Sequence, residues 1–192
     1  DPLTLRMCSP FSDGAAAAIL VSADALRQST GVPVEVLASV IASGSIDPDR
    51  TGNAVRRAAL QAYERAGIGP DDLDLAEVHD AVAPAEVWEY EDLGLAAPGS
   101  GPELVADGVT SLGGRIPVNP SGGLVARGHP IAATGLGQIF EAVQQLRGRC
   151  GPRQVDGAQL AITQNAGGWL DTDNAAISIH VLGGLSSSRR TT

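Results

Sequence analysis

The feature that most constrains the fold is a repeated alternation of short, β-rich apolar segments with longer segments of helical periodicity. Val32–Ala42 is rich in Val, Ile and Ala, with Pro33 near its start and Gly44 just after its end, which predicts a buried strand. Val55–Ala66 has apolar residues at helical spacing, and Gly67 follows where a helix C-cap belongs. Because strands that alternate with helices pack as a sheet covered by helices, the chain is predicted to have an α/β fold.

The same patterns predict the remaining elements, with long Gly- and Pro-rich loops between them. We expect strands at Ala15–Val21, Leu73–Val78, Ala158–Thr163 and Ala175–Leu182, helices at Ala23–Gln28, Val82–Leu93 and Pro130–Leu146, a loop over Ala96–Pro120, and a disordered tail from Gly183 to Thr192.

Composition limits the partners and the chemistry. The 192 residues are enough for one domain or for half of a larger protein, and a net charge of −9 argues against nucleic acid or an anionic membrane. All 13 basic residues are arginines, which excludes Schiff-base chemistry and a P-loop lysine. The apolar runs are too short to span a bilayer, so we expect a cytoplasmic protein. Asp1 stands where an initiator Met would, which suggests a processed or fragmentary chain.

Neither cysteine carries an obvious function. Two thiols are too few for a disulfide framework and have no metal-ligand spacing, so no metal site is expected. Cys8 and Cys150 have no base nearby in the sequence, and we interpret both as structural. His180 lies in an apolar strand pattern and is also interpreted as structural.

The first segment that could carry chemistry runs from Glu77 to Ala81. His79 follows a short apolar strand and precedes a helix, so its ring should point into the crevice at the strand's carboxyl end, where α/β folds bind ligands. The alternative is a purely structural histidine. Asp80 is placed to cap the helix that follows.

The second segment is the glycine-rich stretch from Asn119 to Pro130. Pro130 is suited to the first position of a helix, which would place the imidazole of His129 at the positive end of the helix dipole. This arrangement suits stabilisation of an oxyanion or a thioester carbonyl. A glycine-rich turn with a capping histidine is the structural alternative.

The third segment is Gln164-Asn165-Ala166-Gly167-Gly168, immediately after a predicted strand. Paired glycines in this position can offer a backbone N–H to an oxyanion. The same residues also suit an ordinary turn.

Together these segments resemble the C-terminal part of the thiolase superfamily, nearest the sterol-carrier-protein-type thiolases and the bacterial lipid-transfer proteins. His79-Asp80-Ala81-Val82 is similar to the His-Asp-x-Phe box of this branch, and Asn119–Gly135 is similar to the Asn-x-x-Gly-Gly…Gly-His-Pro-x-x-x-x-Gly signature. The resemblance implies a layered αβαβα fold, of which residues 1–30 would end the N-terminal domain, residues 31–183 would form the C-terminal domain and residues 184–192 a tail.

The resemblance also implies roles for individual residues. His129 would activate a nucleophile or bind the thioester oxygen, and His79 would help to bind that same oxygen. The Gly167 N–H would contribute to a second oxyanion site. The predicted substrate-binding residues are Asn119, Ser121, Gly122, Gly128, Gln164 and Asn165. The substrate would be a CoA thioester, and no separate cofactor is expected.

The chain departs from the thiolase pattern where proton transfer is concerned. Thiolases have an acid/base cysteine at the position that matches Asn165 or Ala81, and the acylated cysteine lies in their N-terminal domain. We therefore expect retro-aldol cleavage of a β-hydroxyacyl-CoA, of the steroid side-chain type, rather than thiolysis. Tyr63 and Tyr90 are weak candidates for its proton-transfer group. The alternatives are an acetyl-CoA acyltransferase whose nucleophile lies in the other half, and a non-catalytic supporting subunit.

The same resemblance predicts partners. An isolated C-terminal half would expose surfaces that face the N-terminal half, so we expect that half or a second subunit to pair with the chain. A homodimer is expected in addition, and a small OB-fold acyl-CoA-associated protein is a further candidate partner.

Overall fold

The computed structural model describes residues 2–26, 31–46 and 52–184, and within them the chain forms a mixed sheet with helices on both faces. The strands are β1 (Val34–Ala42), β2 (Leu75–Glu77), β3 (Leu160–Leu170) and β4 (Asp173–Gly184). The helices are α1 (Ala23–Leu26), α2 (Ala54–Ala66), α3 (Ala83–Asp92), α4 (Gly101–Ala106), α5 (Gly123–Arg127) and α6 (Thr134–Leu146), with short 3₁₀ turns at Leu5–Met7, Pro70–Asp72 and Gly151–Arg153.

The sheet order is β1-β4-β3-β2, antiparallel except for the parallel pair of β3 and β2. Side chains alternate across it. Leu75 and its partner Ala161 pack under α6, whereas Ala76 and its partner Ile162 face the larger core that includes α2. The described residues therefore form three layers, helix on sheet on helix, and confirm the predicted α/β class.

The α2 helix illustrates how local sequence determines an element. Asn53 accepts a hydrogen bond from the Arg56 N–H at 2.9 Å and caps the first turn. Gly67 ends the helix in the left-handed conformation, as its position predicted. Ala58, Ala59 and Ala62 are fully buried, so the small side chains allow the helix to lie close to the sheet.

Several predicted boundaries are wrong. Ala15–Val21 forms no strand and Ile19 is 91% exposed, because an apolar run needs a neighbouring strand and none of the described residues supplies one. The predicted loop over Ala96–Pro120 contains α4, whose first turn includes Pro102. Gly183 and Gly184 belong to β4, not to a tail.

The predicted end of the strand at Thr163 is also wrong, and the ordinary turn that residues 164–168 also suited does not form. These residues continue β3, with Gln164 opposite Ile179 and Gly167 opposite Ala176 on β4. The continuing ladder overrides the turn preference of the paired glycines. The predicted tail from residue 185 onward and the end of the predicted helix at residues 27–28 lie outside the described residues.

Candidate active site

His79 lies in the connection between β2 and α3, at the carboxyl end of β2, and its ring is half-buried. Two side chains hold the backbone there. The Val78 N–H donates to Asn119 Oδ1 at 2.8 Å, and the His79 N–H donates to Gln164 Oε1 at 2.8 Å. The crevice position predicted for His79 is confirmed, because the residue lines a cleft of about 620 Å³.

Asp80 caps a different helix from the one expected. Its carboxylate accepts hydrogen bonds from the Leu124 N–H at 2.6 Å and the Val125 N–H at 3.2 Å, at the start of α5. The helix that follows Asp80 in sequence, α3, has no side-chain cap. The prediction failed because α5 packs directly against the strand end, a contact between segments more than 40 residues apart. Asp80 therefore joins the two histidine-bearing segments.

His129 lies between α5 and α6. Its N–H donates to the Pro10 carbonyl at 2.9 Å, and the residue pairs with Phe11 in an isolated bridge. The helix expected at Pro130 begins instead at Thr134, after a turn in which the Thr134 N–H donates to the Pro130 carbonyl at 2.9 Å. The imidazole reaches the start of α6 through its side chain, since Nδ1 lies 2.7 Å from Thr134 Oγ1.

The two histidines meet. Their ring centroids are 4.9 Å apart and their planes are inclined by 84°, an edge-to-face contact. Segments 50 residues apart in sequence therefore bring both imidazoles to one point. Sequence motifs mark both residues as candidates, but only the fold brings their rings into contact.

A relay of amides determines the tautomer of His79. The backbone carbonyl of Gln164 can only accept a hydrogen bond, so the Gln138 side-chain NH₂ donates to it at 2.9 Å. The side-chain oxygen of Gln138 therefore points toward Asn165. Asn165 Nδ2 then donates both to Gln138 Oε1 and to His79 Nδ1, each at 3.0 Å. With Nδ1 as acceptor, neutral His79 carries its proton on Nε2, ready to donate.

Thr134 assigns the opposite tautomer to His129. The Thr134 hydroxyl donates to the Pro130 carbonyl at 3.1 Å, which leaves its oxygen to accept from His129 Nδ1–H. His129 therefore presents an unprotonated Nε2. The pair offers a ligand one N–H donor and one basic nitrogen.

Electrostatics keeps both rings neutral. Burial, the neighbouring His129 and Arg127 lower the pKa of His79 to about 4. Burial, followed by Arg127, also lowers the pKa of His129. At neutral pH the donor and the base therefore coexist, which suits proton transfer combined with oxyanion stabilisation.

The buried carboxyl of Glu77, next to the histidine segment, was not anticipated from the sequence. Glu77 is fully buried and accepts from both the N–H and the hydroxyl of Ser121, at 3.0 and 2.7 Å, while Arg127 lies 3.9 Å away. Burial raises the pKa of Glu77 to about 7 despite those hydrogen bonds. Its position next to the histidine motif was the available signal. Glu77 anchors the glycine-rich stretch under the histidine pair.

Glu89 on α3 is the other group that the sequence analysis missed. It lines the same cleft as His79, together with both tryptophans of the chain, Trp88 and Trp169. One carboxyl oxygen, Oε1, accepts from Gln164 Nε2 at 3.1 Å, and the other, Oε2, is buried without a hydrogen-bond partner among the described residues. Burial, reinforced by Asp92, raises the pKa of Glu89 to about 8.

The structure distributes the predicted substrate-binding residues over two roles. Gln164 and Asn119 are buried and bonded to protein groups on both sides of the amide, Asn119 with a positive φ of 50°. Asn165 orients His79, as described above. Contact between these residues and a substrate stays a prediction. In the structure, their side chains hold the backbone and the ring of the histidine segment in place.

The predicted glycines lie around the histidine pair. Gly128 is buried, and a Cβ there would lie 2.6 Å from Ser12 Oγ, so this glycine lets the segment preceding α1 pass beside His129. Gly122 is the exposed N-cap of α5. Gly167 is an exposed residue of β3, and its proposed oxyanion role stays a prediction.

The remaining candidates lie apart from the histidine pair or have their groups occupied. His180 Nδ1 lies 3.0 Å from Ser39 Oγ on the neighbouring strand. Tyr63 donates to the Leu93 carbonyl at 2.8 Å, and Tyr90 donates to Glu86 on its own helix; burial raises the pKa of both phenols. Cys8 is exposed, and buried Cys150 lies beside Glu141.

Within residues 2–26, 31–46 and 52–184, no cluster of three or more His, Cys, Asp or Glu side chains could hold a metal ion. No helix in these ranges is long and apolar enough to cross a membrane.

Fold and site define an α/β domain with a two-histidine centre at the carboxyl end of a sheet strand. The chain belongs to the family of thiolase C-terminal domain-like proteins, whose model matches residues 39–180. The acetyl-CoA acetyltransferase of Methanothermobacter thermautotrophicus is 50% identical over 173 residues, which cover 88% of this chain and 45% of that protein. Human sterol carrier protein 2 is 43% identical over 87% of this chain and 32% of its own length.

A solved structure has a similar fold. The Ltp2-ChsH2(DUF35) aldolase superposes with a TM-score of 0.71 at 26% identity, over 85% of this chain and 43% of that one. The relatives thus include an acetyltransferase and an aldolase, which supports an enzyme class in general. The chain spans less than half the length of the relatives that it matches.

Proposed function

We propose that the protein containing this chain breaks a carbon–carbon bond beside the thioester carbonyl of an acyl-CoA, by retro-aldol cleavage of a β-hydroxyacyl-CoA. A steroid side chain is the proposed acyl group, by analogy with lipid-transfer-type relatives. The observation behind the proposal is the contact between His79 and His129, with a donor on one Nε2 and a basic nitrogen on the other.

The reaction uses the two nitrogens differently. His129 Nε2 removes the β-hydroxyl proton, the O–H electron pair becomes the carbonyl of the leaving ketone or aldehyde, and the Cα–Cβ pair becomes the thioester enolate. His79 Nε2–H donates to the enolate oxygen. A proton then adds to Cα, which completes the shortened acyl-CoA. No electrons are gained or lost overall, and no separate cofactor is required.

The surroundings favour an aldol-type route over thiolysis. Neither described thiol is hydrogen-bonded to a histidine: the Cys8 Sγ lies 3.9 Å from the Thr4 carbonyl, and the Cys150 Sγ lies 3.6 Å from Glu141. Asn165 orients His79, and an amide cannot replace an acid/base thiol.

Acetyl-CoA acyltransfer is the second candidate, favoured by the 50% identity to an acetyltransferase. It requires a nucleophilic cysteine supplied by the remainder of the thiolase fold. The third candidate is a supporting subunit with no chemistry of its own.

Exposed apolar side chains support the proposed partners. Phe11, Leu20 and Phe140 are 84%, 84% and 57% exposed, on the segment before α1 and on α6. We propose that the N-terminal half of the thiolase fold or a second subunit covers them, within a homodimer. A small OB-fold acyl-CoA-associated protein is a further proposed partner, and the aldolase neighbour is itself described with a DUF35 component.

The test compares two reactions of the purified protein in its native assembly: cleavage of a β-hydroxyacyl-CoA, and CoA-dependent thiolysis of acetoacetyl-CoA. We expect cleavage with release of a ketone or aldehyde, and a loss of about 10²-fold or more in His79→Ala and His129→Ala, in line with the usual contribution of acid–base and oxyanion groups.

His180→Ala is the matched control, because this histidine lies on β4 and contacts Ser39. It should keep the cleavage rate. Thiolysis through an isolable acyl-enzyme would favour the acyltransferase instead. Full activity in both histidine variants would make the chain a supporting subunit.

A further inference from the structure

We infer that Glu89 is the proton donor of the site, the group that protonates the thioester enolate after the carbon–carbon bond breaks. This inference rests on the proposed function and supplies the proton-transfer residue that it lacks. Glu89 lines the cleft, and its Oε2 has no hydrogen-bond partner among the described residues.

Glu89 and His79 are held by the two ends of a single side chain. Gln164 Oε1 accepts from the His79 N–H at 2.8 Å, and Gln164 Nε2 donates to Glu89 Oε1 at 3.1 Å. The carboxyl therefore lies one amide group away from the His79 backbone, and both residues line the same cleft.

The hydrogen bonds also locate the proton. Because the His79 N–H must donate, Gln164 is oriented with its oxygen toward His79 and its NH₂ toward Glu89. Oε1 of Glu89 is thus an acceptor, and a proton on this carboxyl lies on Oε2. This oxygen is buried and has no protein partner within the described residues. An unsatisfied buried polar atom is destabilising, and a ligand acceptor at Oε2 would remove that penalty.

Burial, reinforced by the charge of Asp92, raises the pKa of Glu89 and keeps it protonated near neutral pH. Asp92 and Glu91 share its helix, and Asp173 of β4 lines the cleft from the other side. Among the described residues that line the cleft, His79 is the only side chain that can carry a positive charge, and it is neutral. Glu89 therefore retains its proton while the His129 Nε2 is unprotonated, so a carboxylic acid and an imidazole base coexist near neutral pH.

The step balances. Oε2–H gives its proton to Cα of the enolate, the enolate C=C pair forms the new C–H bond, and the thioester C=O is restored. Glu89 is left as a carboxylate. The proton that His129 took from the β-hydroxyl returns to Glu89 through solvent, so one proton is moved and none is consumed.

The experiment measures kcat and KM for β-hydroxyacyl-CoA cleavage in the native assembly across the pH range on either side of 8, for wild type, Glu89→Gln and Glu89→Asp. Glu103→Gln, on the exposed face of α4, is the control for loss of one carboxylate. Glu89→Gln keeps the size and the hydrogen bond of the side chain but has no transferable proton.

We expect Glu89→Gln to lower kcat by about 10²-fold with KM changed by less than about threefold. Wild-type kcat/KM should fall as pH rises through about 8, where Glu89 ionises. This alkaline limb should be missing in Glu89→Gln and present in Glu89→Asp, with an intermediate rate. Glu103→Gln should match wild type.

Two results would overturn the inference, and they distinguish failure of the Glu89 role from failure of the proposed function. If Glu89→Gln cleaves at the wild-type rate with the same alkaline limb, Glu89 is not the donor and the proposed function stands. If wild type itself cleaves no β-hydroxyacyl-CoA, the proposed function fails and the role of Glu89 fails with it.

Discussion

The nitrogen that His79 presents to a ligand is decided by an asparagine that the sequence marked only as a substrate contact. Asn165 Nδ2 donates to His79 Nδ1 and is itself oriented by Gln138. An amide at this position selects the tautomer without adding charge. A carboxylate would select the other tautomer and attract a second proton.

Asn165→Asp should therefore raise the pKa of His79 from about 4 by roughly 1–3 units, because a carboxylate beside an imidazole favours its protonated form. Cleavage should fall at least about tenfold, since the neutral ring then carries its proton on Nδ1 and the Nε2–H donor is lost. The measurement is a ¹⁵N NMR titration of the ring nitrogens. His180 is the internal reference, and an unmoved His79 would refute the relay.

At the scale of elements, α5 is anchored by one carboxylate. Asp80 caps its first turn, and Gly123 lies so close, at a φ of 63°, that a Cβ would collide with that carboxylate. Since α5 leads directly to His129, the position of one histidine depends on a cap supplied from beside the other.

Gly123→Ala should lower the free energy of unfolding by about 2–4 kcal/mol, from the collision plus the cost of a positive φ. Gly113→Ala is the matched control, because Gly113 has a φ of 87° and nothing within 4 Å of a Cβ. The control should cost about 1 kcal/mol, the backbone term alone. Chemical denaturation of both variants measures the difference, and equal losses would show that the close approach to Asp80 is unimportant.

Elements set by local signals were predictable, and those set by distant neighbours were not. The α2 and α3 helices lie within one residue of their predicted boundaries, because periodicity and a C-terminal glycine are encoded locally. The β3 strand was predicted too short, because its extension depends on pairing with β4. The candidate histidines were likewise found from their motif, whereas the Gln138–Gln164–Glu89 chain joins three elements and leaves no local signal.

Among the described residues, four carboxyls around the site have a raised pKa: about 7 for Glu77, about 6 for Asp80, about 8 for Glu89, and a value above the usual one for Asp92. A carboxyl whose pKa is raised on folding stabilises the fold below its unfolded pKa, and that contribution is lost as pH rises through the folded value. The window for Glu89 runs from 4.5 to about 8. His79 acts in the opposite direction, since its lowered pKa makes the fold less stable as pH falls from 6.5 toward 4.

The Glu89→Gln variant isolates the contribution of Glu89 to the pH dependence of the unfolding free energy. Between the acid and alkaline ends of the Glu89 window, the free energy of unfolding of the variant should rise by roughly 5 kcal/mol relative to wild type. The reason is that the variant has no carboxyl to ionise in a buried site. Denaturant titrations at several pH values measure the difference. The Glu103→Gln difference should stay flat, and a flat Glu89→Gln difference would mean that Glu89 is ionised without penalty.

The placement of the two tryptophans has a spectroscopic consequence. Trp88 and Trp169 are 60% and 72% exposed, and they are the only two in the chain; both lie in the wall of the His79 cleft. All indole emission from this chain therefore arises beside the proposed acyl site. A ligand that displaces water from these rings shifts that emission, so the fluorescence of this chain reports occupancy of the cleft without any label.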